Sequence, residues 1–293
     1  MLKDKKILIF VSGSIAIYKI LMLIRALRKD GALVRIVATQ SALKFITPLS
    51  FETLSNAPLL HDSNECWAST PHTDSINLES HIQRDSNPPQ NHIGYAKWAD
   101  IALFAPLTAN SLNKLANGIA DNIYLATALA LPNIPKLLAP SANTLMLENP
   151  ITQKNIEILK NSGYEIINPA LGMLACGDVG NGAMADIETM LFALRKANFN
   201  NPYWRDKYVI VTGGGSIEEI DSVRCISNHS SGMQASNLAL ALYYLGAKVI
   251  FISSKSPIIL PPSIKHIQVK SSKDYENALN HTMRKSISLW QRQ

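Results

Sequence analysis

The sequence predicts an α/β protein: a doubly wound parallel sheet followed by a partial second α/β domain. Three observations carry this. First, the chain opens on a βαβ pattern, with the apolar run Lys6–Val11, apolar residues at helical spacing (Ile17, Ile20, Leu21, Ile24, Leu27) and a second apolar run, Leu33–Ala38. Second, strand-length apolar runs recur at Ile101–Ala105 and Lys136–Ala139, each followed by a polar turn and a helical pattern. Third, the alternation starts afresh at Lys207 after a stretch rich in asparagine. The expected division is 1–197 for the first domain, 198–206 for a linker and 207–293 for the second. That second part is thin for a complete nucleotide-binding fold.

In chain order, Gly31 stops the first helix, and a Thr47-Pro48 turn leads into a short helical segment. Residues 60–91 are polar, rich in Ser, Asn, Asp and Pro, and without periodicity, which predicts a long mobile loop or insertion. His61, Cys66, His72 and His81 lie in it, but their spacing matches no zinc pattern, so no metal is expected. A short helical turn carrying Tyr95 and Trp98 precedes the Ile101–Ala105 strand. Helices are expected over Ser111–Gly118, Asn122–Leu131, Thr144–Leu147 and Pro150–Asn161, and Tyr164–Ile167 reads as the last strand of the first domain. Asn168–Asp186 follows as a glycine-rich flap able to close on a ligand, and Ile187–Lys196 as a helix. In the second part, strands are expected at Tyr208–Thr212, Lys248–Ile252 and His266–Val269 and helices at Met233–Leu245 and Lys273–Ser286. A loop holding Asp221, Arg224 and Asn228 lies between the first strand and helix.

Composition narrows the function. Apolar residues are 47% of the 293 and charged residues 17%, enough for a large core. The net charge of +6 favours anionic partners. Its lysines and arginines are scattered, which points to phosphorylated small molecules and away from nucleic acid. Three well-separated cysteines suit a reducing cytoplasm. Lys3, Lys5 and Lys6 before Ile7–Val11 mimic a signal peptide, but Ser12-Gly13-Ser14 interrupts the run and no cleavage site follows. No run is long enough for a membrane span.

The binding residues are expected in the loops at strand ends, where open α/β sheets take ligands. The first turn, Gly13-Ser14-Ile15, is not a dinucleotide fingerprint, and a short hydroxyl-bearing turn at a helix N-terminus suits one phosphate rather than a pyrophosphate. Thr39, at the end of the second strand, adds a hydroxyl nearby. Thr108-Ala109-Asn110 opens the helix after the third strand. Helix capping is the competing explanation for each of these hydroxyls.

Several motifs jointly resemble one family: GSIAIYK (Gly13–Lys19), FITPLS (Phe45–Ser50), His92 ahead of AKWAD, APLTANSLNKLANGIADN, the PSAN turn ending at Asn143, and ACGDVGNGAM. They are similar to the flavin-dependent cysteine decarboxylases. The continuation TGGGSIEEIDSVRCISNHSSG is similar to the start of the phosphopantothenate–cysteine ligase domain, so the whole resembles the bifunctional coenzyme A biosynthesis flavoproteins of bacteria. The resemblance implies a flavodoxin- or Rossmann-like fold that binds FMN in a trimer-based homo-oligomer, trimeric or dodecameric, acting on a phosphorylated, pantothenate-derived substrate. It assigns an active-site histidine to His92, a carboxylate-binding asparagine to Asn143, a proton-donating cysteine to Cys176 and a substrate contact to Met184.

The implied chemistry is decarboxylation of 4′-phosphopantothenoylcysteine to 4′-phosphopantetheine through a thioaldehyde, whose thiocarbonyl is the electron sink for CO2 loss. Two motifs depart from the family: Ala183 stands before Met184 where arginine is usual, and the asparagine turn is PSAN rather than PAMN. The ligase-like part stops before the segments expected to bind CTP and Mg2+, so decarboxylation without ligation is expected, with Asn228 a remnant of the ligase site. Two rival readings are a peptidyl-cysteine or prenyl-transferring flavoprotein and a non-catalytic flavin-binding regulatory subunit. SNHSSG argues against the first, and the joint presence of His92, Asn143 and Cys176 against the second.

Overall fold

The computed structural model describes residues 1–67, 89–173, 179–205 and 207–290. The chain divides into two compact units, Met1–Leu194 and Arg195–Gln293.

The first unit contains β1 (Lys6–Val11), α1 (Ile17–Lys29), β2 (Leu33–Ala38), α2 (Pro48–Ser55), β3 (Leu59–Leu60), α3 (His92–Trp98), β4 (Ile101–Leu107), α4 (Ala109–Ala116) and α5 (Ile123–Leu129). It continues through β5 (Lys136–Pro140), α6 (Thr144–Glu148), α7 (Pro150–Asn161), β6 (Tyr164–Ile166), β7 (Ala170–Met173), β8 (Val179–Ala183) and most of α8 (Ile187–Phe199). Six strands form one parallel sheet in the order β3-β2-β1-β4-β5-β6. The doubly wound α/β reading therefore holds. Because helices cover both faces, the central strands are buried on both sides and read as continuous apolar runs. All of β4 is buried, and β1 from Ile7 onward.

At the sheet centre Phe10 stacks on Phe104, with centroids 4.3 Å apart, and Tyr124 meets both edge-on. α1 buries Ile17, Ile20, Leu23, Ile24 and Leu27 on one stripe, while Arg28 and Lys29 in its last turn complement the helix dipole.

α3 is fastened to the sheet by a buried cation. The Arg35 guanidinium, on β2, lies 5.2 Å from the ring centroids of both Tyr95 and Trp98. It also donates to the Tyr95 hydroxyl, which donates onward to the Pro58 carbonyl.

Two expectations need correcting. Tyr164–Ile166 is not the last strand of this unit, because β7 and β8 pair antiparallel as a separate hairpin within the glycine-rich stretch. Glycines and small residues without apolar alternation hide such strands from sequence reading. The expected insertion is also ordered at its start. Asp62 accepts a hydrogen bond from Ile123 N at the head of α5, Asn64 caps the turn after β3, and Cys66 N donates to Gln90 O at 2.9 Å.

In the second unit β9 (Tyr208–Gly213), β12 (Lys248–Ser253) and β13 (Lys265–Gln268) form a parallel sheet in the order β13-β12-β9. α9 (Met233–Tyr244) packs against β9 and β12, and α10 (Ser272–Trp290) against β12. The loop expected after β9 contains an antiparallel hairpin of β10 (Ile217–Glu219) and β11 (Cys225–Ser227). Residues 198–205, read from sequence as linker, hold the last residues of α8 and a turn in which Asn201 N donates to Leu245 O. No helix of the described residues is long and apolar enough to cross a membrane.

Candidate functional site

In the first unit the strand order reverses direction between β1 and β4, so the crevice at their carboxyl ends is the natural ligand position. Four loops converge there, following β1, β2, β4 and β5, and hydroxyl groups knit them together. Ser12 is buried, donates to Pro106 O at 2.7 Å and accepts from Thr108 N at 2.9 Å, which locks the β1 loop to the β4 loop. Ser14 Oγ and Ser141 Oγ lie 3.0 Å apart, joining the β1 loop to the β5 loop. Gly13 is pressed on the β2 loop so closely that a Cβ there would sit 2.7 Å from that of Ser41. Only glycine leaves the backbone this near its neighbour.

Beside this cluster Ile15 is exposed. Thr39 and Thr108 have capping work: Thr39 Oγ1 accepts from Ala42 N at 3.2 Å, and Thr108 Oγ1 accepts from Ser111 N at 3.4 Å as the N-cap of α4. Ala109 is buried and Asn110 exposed on the first turn of the same helix.

Asn143 follows β5 directly and caps α6, its Oδ1 accepting from Leu145 N at 2.9 Å. The hairpin is set hard against this turn. Ala142 N donates to Gly182 O at 3.1 Å, and a Cβ on Gly182 would fall 2.0 Å from Ala142 O. Met184 is buried, and its carbonyl accepts from Lys19 Nζ at 2.9 Å, tying the end of the hairpin to α1. Ala183 is half-buried next to it. Cys176 lies outside the described residues, as do His72 and His81.

Behind the loops, the Tyr124 hydroxyl is buried with no hydrogen-bond partner among the described residues. Burial pushes this phenol far above its ordinary value, so it stays protonated. The Ser12 hydroxyl acts in the opposite sense and is outweighed by burial.

The structure thus gathers Gly13, Ser14, Thr39, Thr108, Asn143 and Met184 on loops of one sheet edge or the hairpin bound to it. His92 is not in hydrogen-bond contact with them. Its Nδ1 lies 2.6 Å from Glu65 Oε1, and its ring meets Trp67 edge-on at 5.3 Å. Sequence reasoning missed Ser12, Lys19, Glu65 and Ser141. Lys19 and Ser141 stood within motifs already singled out and Ser12 just before one, whereas Glu65 is 27 residues from its partner in a polar run and had no local signal. In the second unit Asn228 is exposed between β11 and α9, its Oδ1 accepting from Ser230 N at 3.0 Å.

A doubly wound parallel sheet whose loops converge at the β1/β4 switch point defines an open α/β protein of the ligand-binding kind. The chain belongs to the flavoprotein family, whose model matches residues 1–198. Residues 204–289 match the DNA/pantothenate metabolism flavoprotein C-terminal domain. This pairing is the arrangement of the bifunctional coenzyme A biosynthesis proteins, as the motifs implied. The coenzyme A biosynthesis bifunctional protein of Bacillus subtilis (strain 168) is 36% identical over 95% of this chain, which spans 65% of that relative's length. A probable phosphopantothenoylcysteine decarboxylase of Streptococcus mutans is 46% identical over 64% of this chain and 95% of its own. Among solved structures, a PPC decarboxylase mutant complexed with pantothenoylaminoethenethiol is 34% identical, with a TM-score of 0.55, over 66% of this chain and 97% of its own. The FMN binding protein AtHal3 is likewise 34% identical, with a TM-score of 0.52, over 66% and 96%.

Proposed function

We propose that the first unit is an FMN-dependent phosphopantothenoylcysteine decarboxylase acting in coenzyme A biosynthesis. The observation that carries this is the four-loop cluster at the β1/β4 switch point, with its Ser14–Ser141 hydroxyl pair and the Gly13 approach to Ser41. The cluster fits a flavin mononucleotide. Gly13, Ser14 and Ile15 at the head of α1 take the single phosphate, and Thr39, Thr108, Ala109 and Asn110 line the remainder of the cofactor. FMN held there would supply a reversible two-electron store for the thiol-bearing carbon, taking electrons before CO2 loss and returning them afterwards.

The chain's own residues bind the substrate and move its protons. Asn143 orients the substrate carboxylate without neutralising it, so CO2 departs readily. Met184 shapes the substrate pocket. His92 takes the thiol proton as an imidazole general base. Cys176 returns a proton to carbon after CO2 has left. The reading includes a trimer-based homo-oligomer in the cytoplasm, and it assigns the second unit, with Asn228, to the phosphopantothenate–cysteine ligase half, whose reaction uses CTP and Mg2+.

The test is to purify the chain, identify any released cofactor and follow CO2 from 4′-phosphopantothenoylcysteine. Bound FMN and CO2 release are expected. His92→Asn should block the early steps, and Cys176→Ser should release CO2 but stall before the final protonation. A protein that takes up no FMN, or two variants that accumulate the same species, would overturn the assignment.

A further inference from the structure

We propose that Glu65 is the positioning residue of the His92 base, the two forming a carboxylate–imidazole pair. This rests on the reading of His92 given above. Glu65 Oε1 lies 2.6 Å from His92 Nδ1 and also accepts from the His92 backbone N at 3.3 Å. An ionised carboxylate only accepts, so Nδ1 carries the ring proton and Nε2 presents its lone pair.

Both partners are also held by contacts other than the one between them. The Glu65 segment is tied down by Cys66 N to Gln90 O at 2.9 Å, by the Asn64 side chain to Leu59 O at 2.6 Å, and by Asp62 to the head of α5 at 2.8 Å. α3, which carries His92, is capped by Asn91 Oδ1 on Gly94 N at 2.8 Å and clamped through Tyr95 and Trp98 on Arg35. Trp67 covers one edge of the imidazole. Both side chains remain about a quarter exposed, at 25% for His92 and 28% for Glu65, so the ring stays reachable.

In the proton step the substrate S–H bond breaks, an Nε2–H bond forms and the electron pair stays on sulfur. The positive charge created on the imidazole is then balanced by the Glu65 carboxylate 2.6 Å away. Glu65 acts through His92 and needs no contact with substrate.

The competing explanation is that Glu65 only caps the first turn of α3. Glu65→Gln separates the two, because its carbonyl oxygen can accept both hydrogen bonds without a charge. The experiment compares the full chain with Glu65→Gln, Glu65→Ala and His92→Asn, reading flavin content, kcat and KM for decarboxylation. The ring-nitrogen shifts of labelled His92 are read as well. Expected results are unchanged flavin content, a loss in kcat of about 10- to 100-fold for both Glu65 variants with little change in KM, and a His92 tautomer that is Nδ1-protonated in the parent and mixed in Glu65→Ala. Wild-type kcat and an unmoved tautomer in both Glu65 variants, with His92→Asn inactive, would overturn the positioning role alone. Full kcat in His92→Asn would overturn the underlying reading of the base.

Discussion

The two units use the same strand–loop–helix recipe but hold their loops in different ways. In the first, the loops at the carboxyl edge are joined through buried or half-buried hydroxyls, Ser12 to Pro106 and Thr108, and Ser14 to Ser141, on a sheet closed by the Phe10–Phe104–Tyr124 cluster. In the second, the loops between β9 and α9 and after β13 are held by exposed charges: Asp221 with Arg224, Glu219 with Lys270, and Glu218 accepting from Ser272 N. A loop set by core hydrogen bonds keeps its shape across salt and pH, whereas one set by surface ion pairs is screened and titrated. The first unit's loops are therefore expected to hold their shape across salt and pH better than these charged contacts of the second.

The sharpest way to break this contrast is through the core. Phe104→Ala removes the ring stacked on Phe10 and should destabilise the first unit by about 3–5 kcal/mol, seen as a lowered unfolding midpoint with flavin lost in the same transition. A smaller effect is expected at the loop junction. Ser12→Ala leaves the Thr108 N–H without its partner, while the Pro106 carbonyl keeps the backbone N–H of residue 12, and should cost about 1–3 kcal/mol. Flavin affinity should fall while far-ultraviolet circular dichroism is kept.

The smallest effect belongs to the second unit and appears only on titration. Backbone N–H donors hold Asp221, Glu218 and Asp274 below the ordinary carboxylate range, with Val223, Ser272 and Ser271 the leading donors in turn. The stability they lend is present above the ordinary carboxylate value and is lost as pH falls through the lowered one. Lys270 is raised by its hydrogen bond to Glu219, so its contribution is present below the usual lysine value and lost as pH rises through the raised one. Hydrogen exchange should show the β10–β11 hairpin loosening in acid before the first unit's loops do, and salt should exaggerate the difference. Equal responses in the two units would remove the distinction.

The strands that were legible in the sequence are those buried on both faces, because continuous apolar runs admit few alternatives. Lys6–Val11 and Leu33–Ala38 coincide with β1 and β2. The β7–β8 and β10–β11 hairpins were not legible, since GNG and IEE carry no apolar alternation and only their pairing makes them strands. In the site, residue types could be picked out by motif, but not what each hydroxyl is bonded to. Thr108 caps α4, as the competing explanation held, and Thr39 closes the turn at Ala42, while Ser12 and Ser14 each join two loops. Glu65 lay beyond any local pattern, because only the fold brings it to His92.

The Cys66–Gln90 hydrogen bond has a consequence for how this chain tolerates change. It holds the two flanks of the polar segment side by side, with α3 already bolted to β2 through Arg35. Ends held in this way tolerate changes of length between them, because closing a loop costs free energy only with the logarithm of its length. Lengthening, trimming or recoding the sequence between these flanks should leave the imidazole where it is.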